Sequence, residues 1–139
     1  MSPSPDSGEL HGVQGLQQIS DRLDIAELIS RLGLWLDEKR FDDGRSILAE
    51  DVVVRTRAGT VQGVEAAQRH ARERHVEDRS QSVISDILID LHGDRAAARA
   101  NLTATFVPDA SNPGQIYSVG EWYQFSLTRT PQGWRFARI

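Results

Sequence analysis

The sequence predicts an α+β fold, with helices first and an antiparallel sheet after them, and three observations lead there. Ile25, Leu28, Ile29, Leu32, Trp35 and Leu36 recur at helical spacing in the first third of the chain. Beyond Arg79, runs rich in Ile, Leu, Val and Thr are separated by turn-forming clusters such as His92-Gly93-Asp94 and Thr130-Pro131-Gln132-Gly133. The length of 139 residues suits one domain with a real core and is too short for two ordinary ones. Helices followed by hairpin-connected strands pack on one face of an antiparallel sheet.

Residues 1–19 are rich in Ser, Pro, Gly and polar groups, which predicts a flexible tail, docked loosely at most through Leu10, Val13 or Leu16. The domain then spans 20–139. Ser20 or Asp21 is a candidate cap for a first helix running to Asp37. A short second helix is expected near Phe41–Ala49, with Phe41, Ile47 and Leu48 inward. Ala58-Gly59, between 51–57 and 60–62, signals a compact hairpin. Helical spacing returns from Val64 to about Val76, with Val64, Ala67, Ala71 and His75 on one side. Strands are expected over 82–91, 96–107, 115–129 and 134–139, with residues 108–114 as a loop.

Composition excludes several classes of function. The formal net charge is −4, and Arg69, Arg72, Arg74 and Arg79 are interleaved with Glu73, Glu77 and Asp78. That pattern reads as a solvated helix face, not the concentrated basic surface that nucleic acid requires. The absence of cysteine rules out disulfides, thiolate metal sites and cysteine nucleophiles. No apolar run approaches the roughly 18 residues of a membrane span, and Met1-Ser2-Pro3-Ser4-Pro5 opens without the features of a secretory signal. The expectation is a soluble, cytoplasmic protein. Its histidines have no metal-binding spacing, His70 and His75 being five apart, and no nucleophile elbow or phosphate loop occurs. Neither a metal nor a cofactor is therefore expected.

The best lead to chemistry is Asp37. At about 100° per residue, Asp24, Glu27, Arg31 and Glu38 cluster on the wet face of the first helix. Asp37 instead falls in line with Leu23, Ala26, Ser30 and Gly33, a mostly small-residue stripe from which an acid can look into a cavity. A carboxylate in such a place is a candidate general base; the competing role is an acid bonded to backbone or to a neighbouring arginine. Asn101 shares a strand face with Arg99, Thr103 and Thr105 and could donate to a carbonyl or enolate oxygen, or be an ordinary polar position on a solvated face. The Tyr123 hydroxyl could orient a substrate or make a routine hydrogen bond. His75 could reach a pocket rim or cap the third helix. Ile84 and Leu88 on one face of the strand at 82–91, and Val83, Ile87, Ile89 and Leu91 on the other, leave an apolar patch that predicts a homodimer through the outer face of the sheet.

In this order the elements resemble the SnoaL-like branch of the nuclear transport factor 2-like superfamily. The resemblance rests on D-R-L-D-I-A-E-L at 21–28, L-D-E-K-R-F-D-D at 36–43, A-E-D-V-V-V at 49–54 and L-H-G-D-R-A at 91–96. Gly59 and Gly63, Gly120–Tyr123 and R-T-P-Q-G-W-R-F at 129–136 complete it. It implies a cone-shaped α+β barrel, three N-terminal helices on a strongly curved, antiparallel-rich sheet, with an apolar cavity at the open end. It also implies cofactor-independent removal of a proton next to a carbonyl, as in scytalone dehydratase, ketosteroid isomerase and polyketide cyclases. Asp37 matches the dehydratase's first-helix aspartate, Leu36 replaces the tyrosine before it, and Ser82 stands where related strands often begin with histidine. A second dehydratase histidine would fall near Asn101. The implied catalytic set is Asp37, Asn101 and Tyr123, acting on a small apolar carbonyl compound held by Trp35, Ser82, Asp86, Arg99 and His75. An epoxide hydrolase-like set of Asp37, Arg99 and Asp86 is a minor alternative. A non-catalytic ligand-binding or dimerisation module is the competing class, because the fold hosts both.

Overall fold

The computed structural model describes residues 7–139, with side chains from Gly12 onward. Helix α1 spans Ser7–Asp37, a 3-10 segment Phe41–Ser46, strand β1 Leu48–Thr56, β2 Gly59–Gln62 and helix α2 Val64–Arg74. The long strands β3 (Arg79–His92), β4 (Arg95–Val107) and β5 (Tyr117–Thr130) follow, then β6 (Gly133–Arg138). The six strands form one curved, unclosed sheet in the order β2-β1-β6-β5-β4-β3. All neighbours are antiparallel except β1 and β6, which run parallel. No helix among the described residues is long and apolar enough to cross a membrane.

The apolar stripe of α1, Ile25, Leu28, Ile29, Leu32 and Trp35, is buried as its spacing predicts. Opposite it β4 offers Ala96, Ala98 and Ala100, whose small side chains leave room for the helix, while Phe125, Leu127 and Phe136 fill the space beside it. Each fully buried Leu, Ile or Phe contributes about 1.5–3 kcal/mol. Strand β4 alternates buried and exposed residues from Arg95 to Ala104, so the concave and outer faces of the sheet are assigned unambiguously.

Several expectations need correction. Residues 7–19 are helical, so α1 runs through the predicted tail and has no cap at Ser20 or Asp21; residues 1–6 and the Leu10 side chain lie outside the described residues. Once the packed half of a helix has paid the nucleation cost, each added residue gains a hydrogen bond, and Leu, Gln and Glu propagate well. Val13 and Leu16 are exposed, not docked. The second helix is only the 3-10 segment, and Leu48 and Ala49 open β1 instead. There the Gly44 amide leaves the helical pattern to donate to Gln68 Oε1 of α2 at 2.8 Å.

The faces of β3 also differ from simple alternation. Between Ser85, level with Asn101, and Leu88, level with Arg99, the strand holds two residues against one on β4. Asp86 takes up this bulge in a left-handed conformation, φ 54°. Ile84, Ile87 and Ile89 therefore all pack against the core, while Val83 and Leu88 are exposed on the outer face. The expected pairing of Ile84 with Leu88 on one face fails because one extra residue reverses the alternation.

Candidate functional site

Asp37 is held at the C-terminal end of α1 by two local devices. Gly33, one turn earlier, lets the helix approach β3: a Cβ there would lie 3.3 Å from Ile84 Cδ1 and 3.5 Å from Ser82 Cβ. Just beyond Asp37 the helix closes with Lys39 N–H donating to Leu36 O (3.2 Å) and Arg40 N–H to Trp35 O (3.1 Å). Lys39 is left-handed, φ 55°, in a position glycine usually takes. Its ammonium donates to His75 O at 2.8 Å, tying the end of α1 to the end of α2.

The Asp37 carboxylate accepts three hydrogen bonds from β3. Ser80 Oγ (2.7 Å) and Ser82 Oγ (2.9 Å) donate to Oδ1, and the Ser82 amide (2.6 Å) donates to Oδ2. A carboxylate oxygen offers about two acceptor positions. Both on Oδ1 are thus filled, and Oδ2 keeps one open among the described residues. The residue that stands where the resemblance puts a histidine, Ser82, does reach Asp37, but as a hydroxyl and an amide.

The concave face continues from Ser82 through Ala104 to Val119, which lie level on β3, β4 and β5, and from Ile84 through Leu102 to Glu121. Ala104 and Leu102 are buried, whereas Val119 and Glu121 are exposed. Tyr123 points to this same side, and its phenol is pushed up to about 12, first by burial and then by the Glu121 carboxylate. It therefore stays protonated and is a hydrogen-bond donor near neutral pH. It is four residues along β5 from Val119, about 13 Å, so it and Asp37 do not grip one small group. Trp35 is buried with its ring edge-on to Phe41, and its Nε1 has no hydrogen-bond partner among the described residues. His75 lies beside Phe41, with Nδ1 2.9 Å from Ala71 O, and so caps α2. That helix ends at Arg74 instead of Val76.

Three sequence-predicted residues are on the other side of the sheet. Asn101 Nδ2 donates to Asp86 Oδ2 at 2.9 Å, and the Arg99 guanidinium lies 5.6 Å from the centre of the exposed Trp122 ring. Asn101, Asp86 and Arg99 therefore cannot act with Asp37 on one substrate, nor can the epoxide hydrolase-like set assemble. Two hollows on this side, of about 650 and 420 Å³, are lined by residues including Arg99, and Asp37 lines neither. No group of three or more metal-ligating side chains occurs among the described residues.

Sequence reasoning missed two features. Ser80 joins Ser82 at the acid, and their two-residue spacing on β3 was the available signal. Asp21 is buried and bridged by Arg129, with Nη1 at 2.9 Å and Nη2 at 2.7 Å, while Trp134 Nε1 and Gln17 Nε2 also donate to it. The Arg129 hydrogen bonds hold its carboxyl below the usual aspartate range against the opposing effect of burial. Its signal was its place on the helical stripe of Ile25, Leu28 and Leu32.

Residues 17–139 match the family model described as SnoaL-like domain, so the chain belongs to that family. An uncharacterized protein of Mycobacterium tuberculosis is 28% identical over 132 residues, 87% of this chain and 84% of the relative. Among solved structures, an NTF2-like protein with a cystatin-like fold from Novosphingobium aromaticivorans superimposes with a TM-score of 0.78 at 22% identity. That match covers 98% of this chain and 88% of the other. A type 2 hexachlorocyclohexane dehydrochlorinase (LinA) gives a TM-score of 0.78 at 17% identity, covering 89% of this chain and 85% of the other. These similarities establish the fold.

Proposed function

Starting from membership of the SnoaL-like family, we propose that this chain binds a small, largely apolar carbonyl-bearing molecule on the concave face of its sheet, and that Asp37 is an anchor there and not a base. The observation that carries this reading is the Asp37 carboxylate held by Ser80 and Ser82. Three hydrogen bonds fix the carboxylate in place, and no imidazole among the described residues hydrogen-bonds to it to relay a proton. The half-buried serines and the exposed Val119 leave this end of the face accessible. The Tyr123 hydroxyl, protonated near neutral pH, is a hydrogen-bond donor on the same side of the sheet.

A titration with a panel of small alicyclic and aromatic hydroxyketones, whose hydroxyl can donate to the open position on Asp37 Oδ2, followed by tryptophan fluorescence, tests it. Binding is expected without turnover, and Asp37→Asn should weaken it by about tenfold or less, the effect of one hydrogen bond. Absence of binding by any of the ketones, or the same affinity in Asp37→Asn, overturns the reading.

A second reading, cofactor-independent proton transfer of the lyase or isomerase type, is favoured by one observation. The open acceptor position on Asp37 Oδ2 could take a proton from a carbon next to a carbonyl. It requires turnover that falls by about 10²–10⁴ in Asp37→Asn with binding retained.

A further inference from the structure

We propose that Glu121 is a specificity-determining residue of the concave face, and that it selects a ligand whose apolar, carbonyl-bearing body ends in a protonated amine. This rests on the reading of that face as a binding surface and adds a charge to the ligand it takes.

The placement of charge on that face is the basis. Glu121 on β5 is level with Leu102 on β4, and Leu102 with Ile84 on β3. It faces the same side as Ser82, which donates to Asp37. The two residues are two strands and one row apart, about 12 Å between backbones. The surface between the acids is apolar, with Ile84 and Leu102 in one row and Ala104 and Val119 in the next. Beyond it, the row of Ser80 holds Phe106 and Tyr117, whose rings stack at 5.0 Å. The Tyr117 hydroxyl donates to Glu77 Oε1 at 2.7 Å. Asp37, Glu77 and Glu121 make no ion pair among the described residues. Lys39, two residues after Asp37, has its ammonium on His75 O. This end of the face thus carries three carboxylates without a counter-ion.

Glu121 also stands where a ligand can reach it. Strand β6 matches β5 only from Ser126 to Thr130. From Tyr117 to Gln124, β5 therefore has β4 as its single neighbouring strand among the described residues. Val119 and Glu121 lie exposed along that open edge, at the margin of the apolar stretch. An apolar ligand body laid on the stretch takes water from the carboxylate beside it, which weakens binding unless the ligand supplies a donor in its place. A protonated amine supplies one in a charge-assisted hydrogen bond. A neutral apolar group leaves the carboxylate unpaired, and an anion is repelled. The two acids then have different parts. Asp37, already holding three donors, takes a neutral hydroxyl at its open position, whereas Glu121 takes the cation.

Calorimetric titration of the full chain with two hydroxyaryl ketones tests this. The compounds are identical except that one ends in a dimethylammonium group and the other in the isosteric isopropyl group. The dimethylammonium compound is expected to bind about tenfold or more tightly than its isostere. In Glu121→Gln that ratio should fall to about one, and in Asp37→Asn both compounds should weaken together with the ratio kept. Binding of the isopropyl compound to Glu121→Gln shows that this variant is folded. Equal affinity of the two compounds for the unsubstituted chain overturns the proposal and leaves the reading of the face intact. So does a preference for the amine that survives Glu121→Gln or disappears in Asp37→Asn, or a folded Glu121→Gln that binds neither compound. Binding of neither compound by the unsubstituted chain overturns both.

Discussion

Asp21 and Asp37 are two acids on one helix that meet the sheet in opposite ways. Asp21 is buried and matched by a full opposite charge, with Arg129 bridging it and stacking 4.6 Å above the Trp134 ring. Asp37 is half-buried and matched only by neutral donors, two hydroxyls and an amide. The first arrangement is buried with its counter-ion and offers nothing to a ligand. The second keeps a net charge and an open acceptor position on an accessible face. Burial with a counter-ion makes an acid structural; partial burial with neutral donors keeps it available.

The largest test of that contrast is Asp21→Ala, which takes the buried carboxylate from Arg129 and leaves that guanidinium only its exposed bond to Asp94, and should cost about 2–3 kcal/mol in a thermal or urea melt. The pH dependence has a definite sign. Because the folded state holds Asp21 below its ordinary value of 3.8, its contribution is complete above that value and disappears as pH falls through the lower folded value. In Asp21→Ala this acid-side loss should be reduced. A melt that moves by less than about 1 kcal/mol, the worth of one ordinary hydrogen bond, would show the clamp to be incidental.

Asp37→Asn should cost less, about 1–2 kcal/mol, since an amide keeps one acceptor for the serines but cannot satisfy all three donors. A cost equal to that of Asp21→Ala would erase the distinction between the two acids. The smallest effect belongs to the helix end between Asp37 and α2. Lys39→Gly relieves a left-handed lysine, worth about 1 kcal/mol, but loses the bond to His75 O. The two nearly cancel, so stability should change by about 0.5 kcal/mol or less. Loss well beyond that in the same melt would mean that the ammonium is what joins the two helices.

The fold was largely legible because it follows from periodicity. The α1 stripe from Ile25 to Trp35 and the alternation along β4 are each set by burial on one face. The ends of elements were less so: α1 begins at Ser7 because helix propagation is cheap once nucleated, a cooperative property that local composition does not display. The site was legible only in part. Asp37 was singled out by its stripe, but the outward turn of Asn101 and Asp86 and the core-facing Ile87 depend on register across a bulge. One inserted residue at Asp86 has no signature in a pattern of apolar residues. Asp21 was hidden differently: its place on the apolar stripe marks it as buried, but the partner that makes burial tolerable lies 108 residues away.

That separation also bears on how the chain acquires its structure. A growing chain emerges from its N-terminus, so α1 is complete while Arg129 and Trp134 are still to be made. Asp21 must then wait, ionised and solvated, on a helix whose apolar stripe has no sheet to cover it. The contact between α1 and the end of β5 is among the longest loops the chain has to close, and such contacts slow folding. Until β5 and β6 arrive, the first half of the molecule is an amphipathic helix with an exposed apolar face, the form in which this chain is most open to aggregation during synthesis.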